Sequence, residues 1–399
     1  MPKKQKTIEL ILRSLTYFGA LMAALFLGLI FYYVLSNGFG LVNLDLLRSD
    51  YHTQHYKASL SETADLNTLY QAEENLSHPY STKYGVAFKE DLDRAGNMVI
   101  KVAYLHPESP LKTLVNQNAS QETIGLSENI IIQRIAYHDA PSSLRSRGAQ
   151  AMVNDLEAGY EIREVSFAEL GGGIRGSLIT TLYLIGLTLI IALPIGIISA
   201  IYLHEFAPKN MITNTLRSFI ETLTGVPSII YGLIGISIFV PITVRLNLSQ
   251  GSNLYAAALT LAVILLPVII RTTEEALKVI PDDYRKASLA LGANQSQTIF
   301  KIVLPNALPG IMTAVFLSIG RIIGESAALI FVLGTAIKDN VRLSENSTSL
   351  AVHIWTLMSN EPANIELASS IALIILLVVL TLNIIIKFFN FRLHKKLKG

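Results

Sequence analysis

The chain has 399 residues, of which 51% are apolar and only 16% are charged, and its mean hydropathy is +0.45. Soluble domains carry about 25% charged residues, so this balance excludes an ordinary soluble protein and indicates one that lies in a bilayer. The net charge of +2 is too small to indicate a nucleic-acid partner, and the absence of cysteine excludes disulfides, thiolate metal sites and cysteine nucleophiles.

Six apolar segments reach the roughly 20 residues that a helix needs to cross the hydrocarbon core. They predict an all-α polytopic membrane protein. We interpret residues 1–36 as a cytoplasmic tail with a retained first helix rather than a signal peptide, because the apolar run is too long and no small-x-small cleavage site precedes Asn37. The predicted spans are residues 15–36, 177–203, 218–244, 254–271, 307–336 and 367–388.

A polar insertion, residues 37–175, separates the first two spans. It contains strand-like runs at Met98–Tyr104 and Tyr160–Phe167 and a helix-like run at Ser143–Glu157, which together predict a small α+β domain. Gly171-Gly172-Gly173 is interpreted as the hinge into the membrane. After this hinge, residues 176–390 form the predicted transmembrane domain, and residues 391–399 form a basic tail.

The placement of lysine and arginine predicts the orientation of the chain, because short cytoplasmic flanks are enriched in these residues. Six spans place all the basic flanks on one side. Both termini are therefore expected in the cytoplasm and the insertion outside. The basic flanks are the N-terminus, the 204–217 loop, the 271–306 loop and the tail, whereas the opposite short loops hold only Arg245, Lys338 and Arg342.

The 271–306 loop carries the strongest local pattern. Asp282 and Asp283 are helix-start residues, a short helix is predicted over residues 283–291, and Gly292 suits a left-handed helix stop. On that helix Tyr284, Ala287, Leu291 and Ser288 share one face, and Pro305 is expected to open the next membrane helix. A helix–turn–helix on the cytoplasmic face indicates a docking surface, although a merely amphipathic connector would show the same pattern.

The spacing of Ala287, Gly292, Ile302 and Leu304-Pro305 resembles the EAA loop of ABC importer permeases. Over residues 171–390 the chain is similar to phosphate-specific permeases of the PstA type. Lys286 and Ser288 depart from the Glu and second Ala of the EAA pattern. The segments that carry the resemblance are Gly225-Val-Pro-Ser-Ile-Ile-Tyr-Gly232, Leu266-Pro-Val-Ile-Ile-Arg-Thr-Thr-Glu-Glu-Ala276, Ala287-Ser-Leu-Ala-Leu-Gly-Ala293 and Gly320-Arg-Ile-Ile-Gly-Glu325.

The resemblance implies the type I ABC importer permease fold in a bacterial cytoplasmic (inner) membrane. It implies as partners a second permease subunit of PstC type, an ATPase dimer of PstB type and an extracytoplasmic phosphate-binding protein. No Walker A sequence occurs, so ATP and Mg are expected on the ATPase, with no cofactor and no catalytic role in this chain. The residues implied to couple to the ATPase are Tyr284, Arg285, Lys286, Ala287, Ser288, Leu291 and Gly292.

Charged residues within the predicted spans are candidate translocation residues. Arg321 and Glu325 are spaced i, i+4, which would place them on one helix face, and ionisable groups at bilayer depth normally face the bundle interior or water. Arg321 could offer an oxyanion two parallel donors. An ion pair that only locks helices together is the alternative.

Two further candidates for the translocation path have equally plausible structural roles. Arg271 lies near the cytoplasmic end of the fourth predicted span, where it could contact the substrate or extend to the interface. Ser228 follows a Gly-Val-Pro break and could line a wet cavity, or the break could serve close helix packing.

Two other functions compete with a phosphate importer permease. The first is a permease for another oxyanion such as sulfate or molybdate, because the EAA loop does not specify a substrate. The second is a membrane-anchored sensor whose residues 37–175 bind a ligand. No kinase or coiled-coil output segment is visible in the sequence, which favours the importer.

Overall fold

The computed structural model describes residues 3–61, 68–71, 76–92, 98–117, 123–169, 171–360 and 362–398. It divides into a membrane unit, Met1–Tyr51 with Gly173–Gly399, and a sheet unit, His52–Gly172. The separate body within the predicted insertion therefore begins at His52 rather than at residue 37. The preceding residues belong to the membrane unit because Leu46 is buried there.

Helices dominate the chain, as expected of a polytopic membrane protein. They are α1 (Lys3–Gly38), α2 (Leu44–Arg48), α3 (Ala149–Glu157), α4 (Arg175–Ile201), α5 (Met211–Thr224), α6 (Ser228–Ile234), α7 (Val240–Arg245), α8 (Leu254–Lys278), α9 (Asp282–Ala290), α10 (Gln295–Thr298), α11 (Leu304–Gly324), α12 (Ala327–Val332), α13 (Leu350–Ser359) and α14 (Ile365–Lys398).

Short π-helical segments join several of these helices into longer runs. They are Tyr202–Phe206 after α4, Gly235–Phe239 between α6 and α7, and Ile299–Val303 between α10 and α11. With these joins, six helical runs in the described part of the chain are long and apolar enough to cross a membrane, which agrees with the six spans predicted. The runs are Ile11–Leu41, Arg175–Phe206, Ser228–Arg245, Leu254–Lys278, Gln295–Gly324 and Ile365–Phe388.

The core of the membrane unit is the contact between α4 and α8. Small residues recur every four positions along the buried face of α4, among them Thr188, Ala192, Gly196 and Ala200. At Gly196 a Cβ atom would lie only 2.6 Å from Cγ2 of Ile269 on α8, so a larger residue would push the helices apart. In a membrane, where lipid already satisfies apolar surface, such close packing is what holds helices together.

Three predicted elements had wrong bounds. The third span begins at Ser228 rather than residue 218, because Pro227 has extended backbone (φ −56°, ψ 135°) and ends the preceding amphipathic helix α5. The fifth begins at Gln295 and ends at Gly324 rather than running over residues 307–336. In the sheet unit the predicted helix begins at Ala149 rather than Ser143, because Gly148 has a φ of +86° that no helix accommodates.

The sheet unit is an antiparallel sheet with α3 packed on it. In the described residues the strand order is β2-β3-β4-β7-β9-β1-β5-β6, and β8 pairs with β7. The predicted strands over 98–104 and 160–167 are β4 and β9. The strands are β1 (Gln54–Leu60), β2 (Tyr80–Ser81), β3 (Val86–Leu92), β4 (Met98–Leu105), β5 (Leu114–Asn116), β6 (Thr123–Ile124), β7 (Ile131–Tyr137), β8 (Ser143–Leu144) and β9 (Ile162–Glu169).

The Glu157 carboxylate at the end of α3 fastens that helix to the sheet. It accepts hydrogen bonds from the hydroxyls of Ser81 (2.7 Å) and Thr82 (3.0 Å) and from the backbone N–H of Lys83 (3.2 Å). Burial by itself raises the pKa of Glu157, but these bonds outweigh it and hold the pKa below its usual value. Under α3, Met152 and Leu156 are fully buried, so the unit has its own core.

Candidate functional site

The helix predicted to dock on an ATPase is α9 (Asp282–Ala290), with Asp282 and Asp283 in its first turn. It ends where Gly292 adopts a φ of +87°, so the predicted positive-φ helix stop is confirmed. Two bonds close this end, from Gly292 N–H to the carbonyl of Leu289 (3.0 Å) and from Ala293 N–H to that of Ser288 (3.2 Å).

One side of α9 is open to solvent in this chain. Tyr284, Lys286 and Ala287 are exposed, and Leu291, just beyond the helix, is 90% exposed. Ser288 does not share this exposure, since its hydroxyl is hydrogen-bonded to the Thr298 hydroxyl (2.9 Å). The predicted coupling residues therefore separate into an exposed group and an inward-facing one.

Arg285 also faces inward, although it was predicted with the coupling residues. Its guanidinium donates to both carboxylate oxygens of Glu205 at the end of the α4 run, at 2.7 and 3.3 Å. It also donates to the carbonyls of Ile280 (2.9 Å) and Leu277 (3.2 Å) and to Asp282 (3.2 Å). With side chains 18% and 8% exposed, Arg285 and Glu205 form a buried pair that ties α9 to the second span.

A second ion pair binds α5 to α8 nearby. Arg217 donates to the carboxylate of Glu274 (3.2 Å) and to the carbonyl oxygen of Leu203. Glu274 is only 9% exposed. The sequence analysis did not identify Glu205 and Glu274 as partners of these arginines. Each is an acidic residue near the end of an apolar span that faces a basic loop, and this pattern could have indicated an ion pair.

The segment after α9 returns to the membrane as one continuous helical run. Asn294 begins it with a capping box, in which Asn294 and Gln297 each accept a hydrogen bond from the other's backbone N–H. As predicted, Pro305 lies in the first turn of α11, which begins at Leu304, but the continuous helical run already begins at Gln295. The π-helical turn over Ile299–Val303 lies just before the proline, where a regular α-helix could not accommodate its ring and missing N–H.

Two helix breaks in the described membrane unit precede helices that contact each other, α6 and α12. The first is the Gly225–Pro227 break before α6, and the second is the extended backbone at Glu325 (φ −76°, ψ 122°) between α11 and α12. Helices α6 and α12 cross at Gly232, where a Cβ atom would lie 2.8 Å from the backbone of Ala328. Breaks of this kind at membrane depth occur where backbone is buried in protein or lines a wet cavity.

Arg321 and Glu325 do not share a helix face. The i, i+4 prediction fails because α11 ends at Gly324, so Glu325 lies outside it. The Glu325 carboxylate, 9% exposed, instead accepts a hydrogen bond from the Ala328 N–H (3.2 Å) at the start of α12. Arg321 forms no ion pair among the described residues and lies within electrostatic range of Tyr231, whose hydroxyl donates to the Leu223 carbonyl (2.8 Å) across the first break.

The other two candidates fall in different places. Ser228 is half-buried at the start of α6, beside the first break. Arg271 is on α8, which continues to Lys278, and it pairs with Glu275 (3.3 Å) on an exposed face. Within the described residues, no group of three His, Asp or Glu side chains lies close enough together to hold a metal ion.

Comparison with known proteins identifies the family. Residues 192–399 match the family model described as "Binding-protein-dependent transport system inner membrane component". The "Phosphate transport system permease protein PstA" of Mycobacterium leprae is 30% identical over 302 residues, covering 75% of this chain and 96% of that protein. The "Probable ABC transporter permease protein YqgI" of Bacillus subtilis is 33% identical over 260 residues, covering 61% of this chain and 87% of that protein.

Among solved structures, the chain is similar to one titled "Inward facing conformations of the MetNI methionine ABC transporter", at 24% identity and a TM-score of 0.43, over 55% of this chain and 95% of that one. The family match covers half of the chain, and the relative from M. leprae matches across most of it. The chain therefore belongs to the binding-protein-dependent transport system inner membrane components, as a multi-pass ABC importer permease subunit of PstA type.

Proposed function

We propose that this permease forms part of a translocation path for inorganic phosphate. The observation that carries the proposal is Arg321, a guanidinium with no ion-pair partner among the described residues, in the last turn of α11 and four residues before the break at Glu325. A fixed guanidinium can donate two parallel hydrogen bonds to an oxyanion. The printed names of several relatives, among them the PstA proteins of M. leprae and Haemophilus influenzae, also favour phosphate.

The proposed path includes Arg321, Ser228, Tyr231 and Glu325. Glu325 holds the start of α12 through its bond to the Ala328 N–H, so its role is to position the second break rather than to neutralise Arg321. Arg271 remains a proposed substrate contact, but it lies on an exposed face of α8 and outside this group.

The partners follow from the family and its relatives. An ABC importer permease works with an ATPase and a substrate-binding protein. We infer that these are a second permease of PstC type, an ATPase dimer of PstB type and an extracytoplasmic phosphate-binding protein. The exposed side of α9, with Tyr284, Lys286, Ala287 and Leu291, is the proposed ATPase contact. ATP and Mg would then be bound by the ATPase and not by this chain.

Phosphate uptake tests the substrate directly. A strain lacking this permease should regain uptake of labelled phosphate when the gene is restored. Excess sulfate or molybdate should leave the rate unchanged, because the proposal assigns the path to phosphate. Uptake of labelled sulfate or molybdate in place of phosphate would move the assignment to the other oxyanion.

Substituting Arg321 separates a phosphate contact from a purely structural role. We expect Arg321→Lys to reduce uptake and Arg321→Gln to lose nearly all of it, while the subunit remains in the membrane at normal abundance. Lysine keeps the charge but loses the paired donors. Glu325→Gln is the control, because an amide oxygen still accepts the bond from the Ala328 N–H. Restored uptake in Arg321→Gln/Glu325→Gln would contradict this role, since it would mean that Arg321 only balances Glu325.

We also expect both termini and α9 to be cytoplasmic and the sheet unit to be extracytoplasmic. The chain has no cysteine, so single cysteines can be introduced at exposed Glu128 in the sheet unit and at exposed Ser296 in α10. A membrane-impermeant maleimide should label Glu128→Cys in intact spheroplasts and label Ser296→Cys only after lysis. The reverse pattern would invert the orientation.

A further inference from the structure

A cavity of about 560 Å³ lies at the ends of the second and fourth spans, beside α9. Its walls come from the end of the α4 run, from the loop before α5 and the middle of α5, from the end of α8, and from α9 with the residues just before it. The volume is within the range of small-ligand sites. The charged side chains that line it are Glu205, Lys209, Arg217, Lys278, Asp282 and Arg285.

The charges in this cavity do not cancel. Arg285 is matched by Glu205, and Arg217 is matched by Glu274 just outside the lining. Asp282 is 80% exposed and already accepts a hydrogen bond from Arg285. With Glu274 included, four positive side chains face three negative ones, which leaves a net charge of +1, and Lys209 and Lys278 are the two positive side chains without a carboxylate partner among the described residues.

Lys209 and Lys278 make no stabilising polar contact among the described residues. By contrast, Arg217 donates to the carbonyl of Leu203, and Arg285 donates to the carbonyls of Leu277 and Ile280. Both arginines therefore stabilise helix ends, in addition to pairing with carboxylates. Neither lysine has a hydrogen-bond or ion-pair partner among the residues that the structure describes, and both are exposed at the mouth.

Lys209 lies in the loop between the end of the α4 run and α5. Asn210 caps the helix by accepting from the Thr213 N–H (2.9 Å), and Lys209 immediately precedes that cap. Two unmatched ammonium groups favour an anion with several acceptor oxygens.

We propose that this cavity binds an anion of the phosphate class, either the headgroup of an anionic phospholipid or inorganic phosphate. Basic pockets between transmembrane helices on the cytoplasmic side bind anionic headgroups. The cytoplasmic location rests on the orientation proposed above. Because Arg285, which ties α9 to the second span, lines the cavity, a bound anion would act on the segment that holds the coupling helix.

Thermal unfolding of the full-length chain in a neutral detergent tests this inference. The unfolding midpoint is followed against short-chain phosphatidylglycerol, with phosphatidylcholine as reference, and against inorganic phosphate, with chloride at equal ionic strength. A ligand that binds the folded state raises the midpoint saturably. We expect one of the two phosphate probes to saturate, and Lys209→Gln/Lys278→Gln to raise its half-saturation concentration by at least about tenfold.

The matched control is Lys301→Gln/Lys387→Gln, which removes two exposed charges outside the cavity. It should keep the wild-type half-saturation concentration. Saturation by phosphatidylglycerol identifies a lipid headgroup, and saturation by phosphate identifies the free anion. If neither probe saturates, or if both double variants lose binding equally, the inference is overturned. Single Lys278→Gln replaces the double variant if the latter does not fold.

This experiment does not depend on transport. The Lys209→Gln/Lys278→Gln variant keeps Arg321, so any phosphate bound at Arg321 would still bind. A loss of binding in this variant therefore reports on the cavity alone. A chain that fails to import phosphate and still shows lysine-dependent saturation would contradict the proposed substrate and leave the cavity assignment standing.

Discussion

Replacing Glu205 with alanine is expected to remove most of the permease from the membrane and nearly all phosphate uptake with it. The change leaves the Arg285 guanidinium buried at 18% exposure without its bidentate acceptor. Breaking a buried pair by removing one partner costs about 3–5 kcal/mol, a large share of the roughly 5–15 kcal/mol that stabilises a typical fold. Abundance by immunoblot and uptake of labelled phosphate measure the two effects side by side.

An exposed ion pair provides the matched control for Glu205. Arg13 and Glu9 are 66% and 60% exposed at a distance of 3.5 Å, and such pairs contribute about 0–1 kcal/mol. Glu9→Ala should therefore leave abundance and uptake unchanged. In Glu205→Met/Arg285→Met the charges are removed together, so abundance should recover in part. We expect the abundance of this double variant to stay below that of the wild type, because the carbonyls of Leu277 and Ile280 lose the hydrogen bonds that Arg285 donates. Normal abundance in Glu205→Ala would show that this pair does not hold α9.

Gly292→Val is expected to abolish uptake or assembly of the importer. Gly292 has a φ of +87°, and no atom lies within 4 Å of the position that a Cβ would occupy, so the backbone conformation alone sets the cost. A left-handed conformation costs an L-residue roughly 1–2 kcal/mol, and a β-branched side chain is a stronger outlier. The end of α9 would unwind or change direction, which displaces Leu291 from the proposed ATPase contact. The purified ATPase should keep its own hydrolysis.

Two variants test whether conformation is the cause. Gly292→Asn adds a side chain that tolerates positive φ, and it should keep most of the uptake. Gly186→Val adds the same side chain as Gly292→Val in the apolar helix α4, again with nothing within 4 Å but without a positive φ, and it should be tolerated. Wild-type uptake by Gly292→Val, or equal loss in Gly292→Asn, would refute the docking-loop assignment.

Local patterns were enough to predict the parts of this protein that depend on neighbouring residues. The six spans follow from length and hydropathy, because the bilayer core sets the length of a crossing helix. The docking helix and its stop follow from Asp282, Asp283 and Gly292, which act on the backbone within one turn. The four segments that carry the family resemblance could be recognised without a structure, and the comparisons confirm the family.

Predictions from residue spacing failed where the backbone departs from regular α-helical geometry. The i, i+4 relation of Arg321 and Glu325 assumes an unbroken helix, but the backbone at Glu325 is extended and α11 ends at Gly324. In the same way Pro305 suggested a helix start, whereas a π-helical turn before it lets one helix run from Gln295 to Gly324. The π-helical turn ends two residues before Pro305, so this second deviation is local.

The sequence by itself therefore determined the number of spans, the helix α9 with its stop, and the family, since each rests on contacts within a few residues or on composition. Only the tertiary structure decided which charges are matched. Glu205 lies 80 positions before Arg285, and Arg217 lies 57 before Glu274, so no periodicity could pair them. The same folding leaves Lys209 and Lys278 unmatched in one cavity, because side chains from different helices meet only when the helices pack.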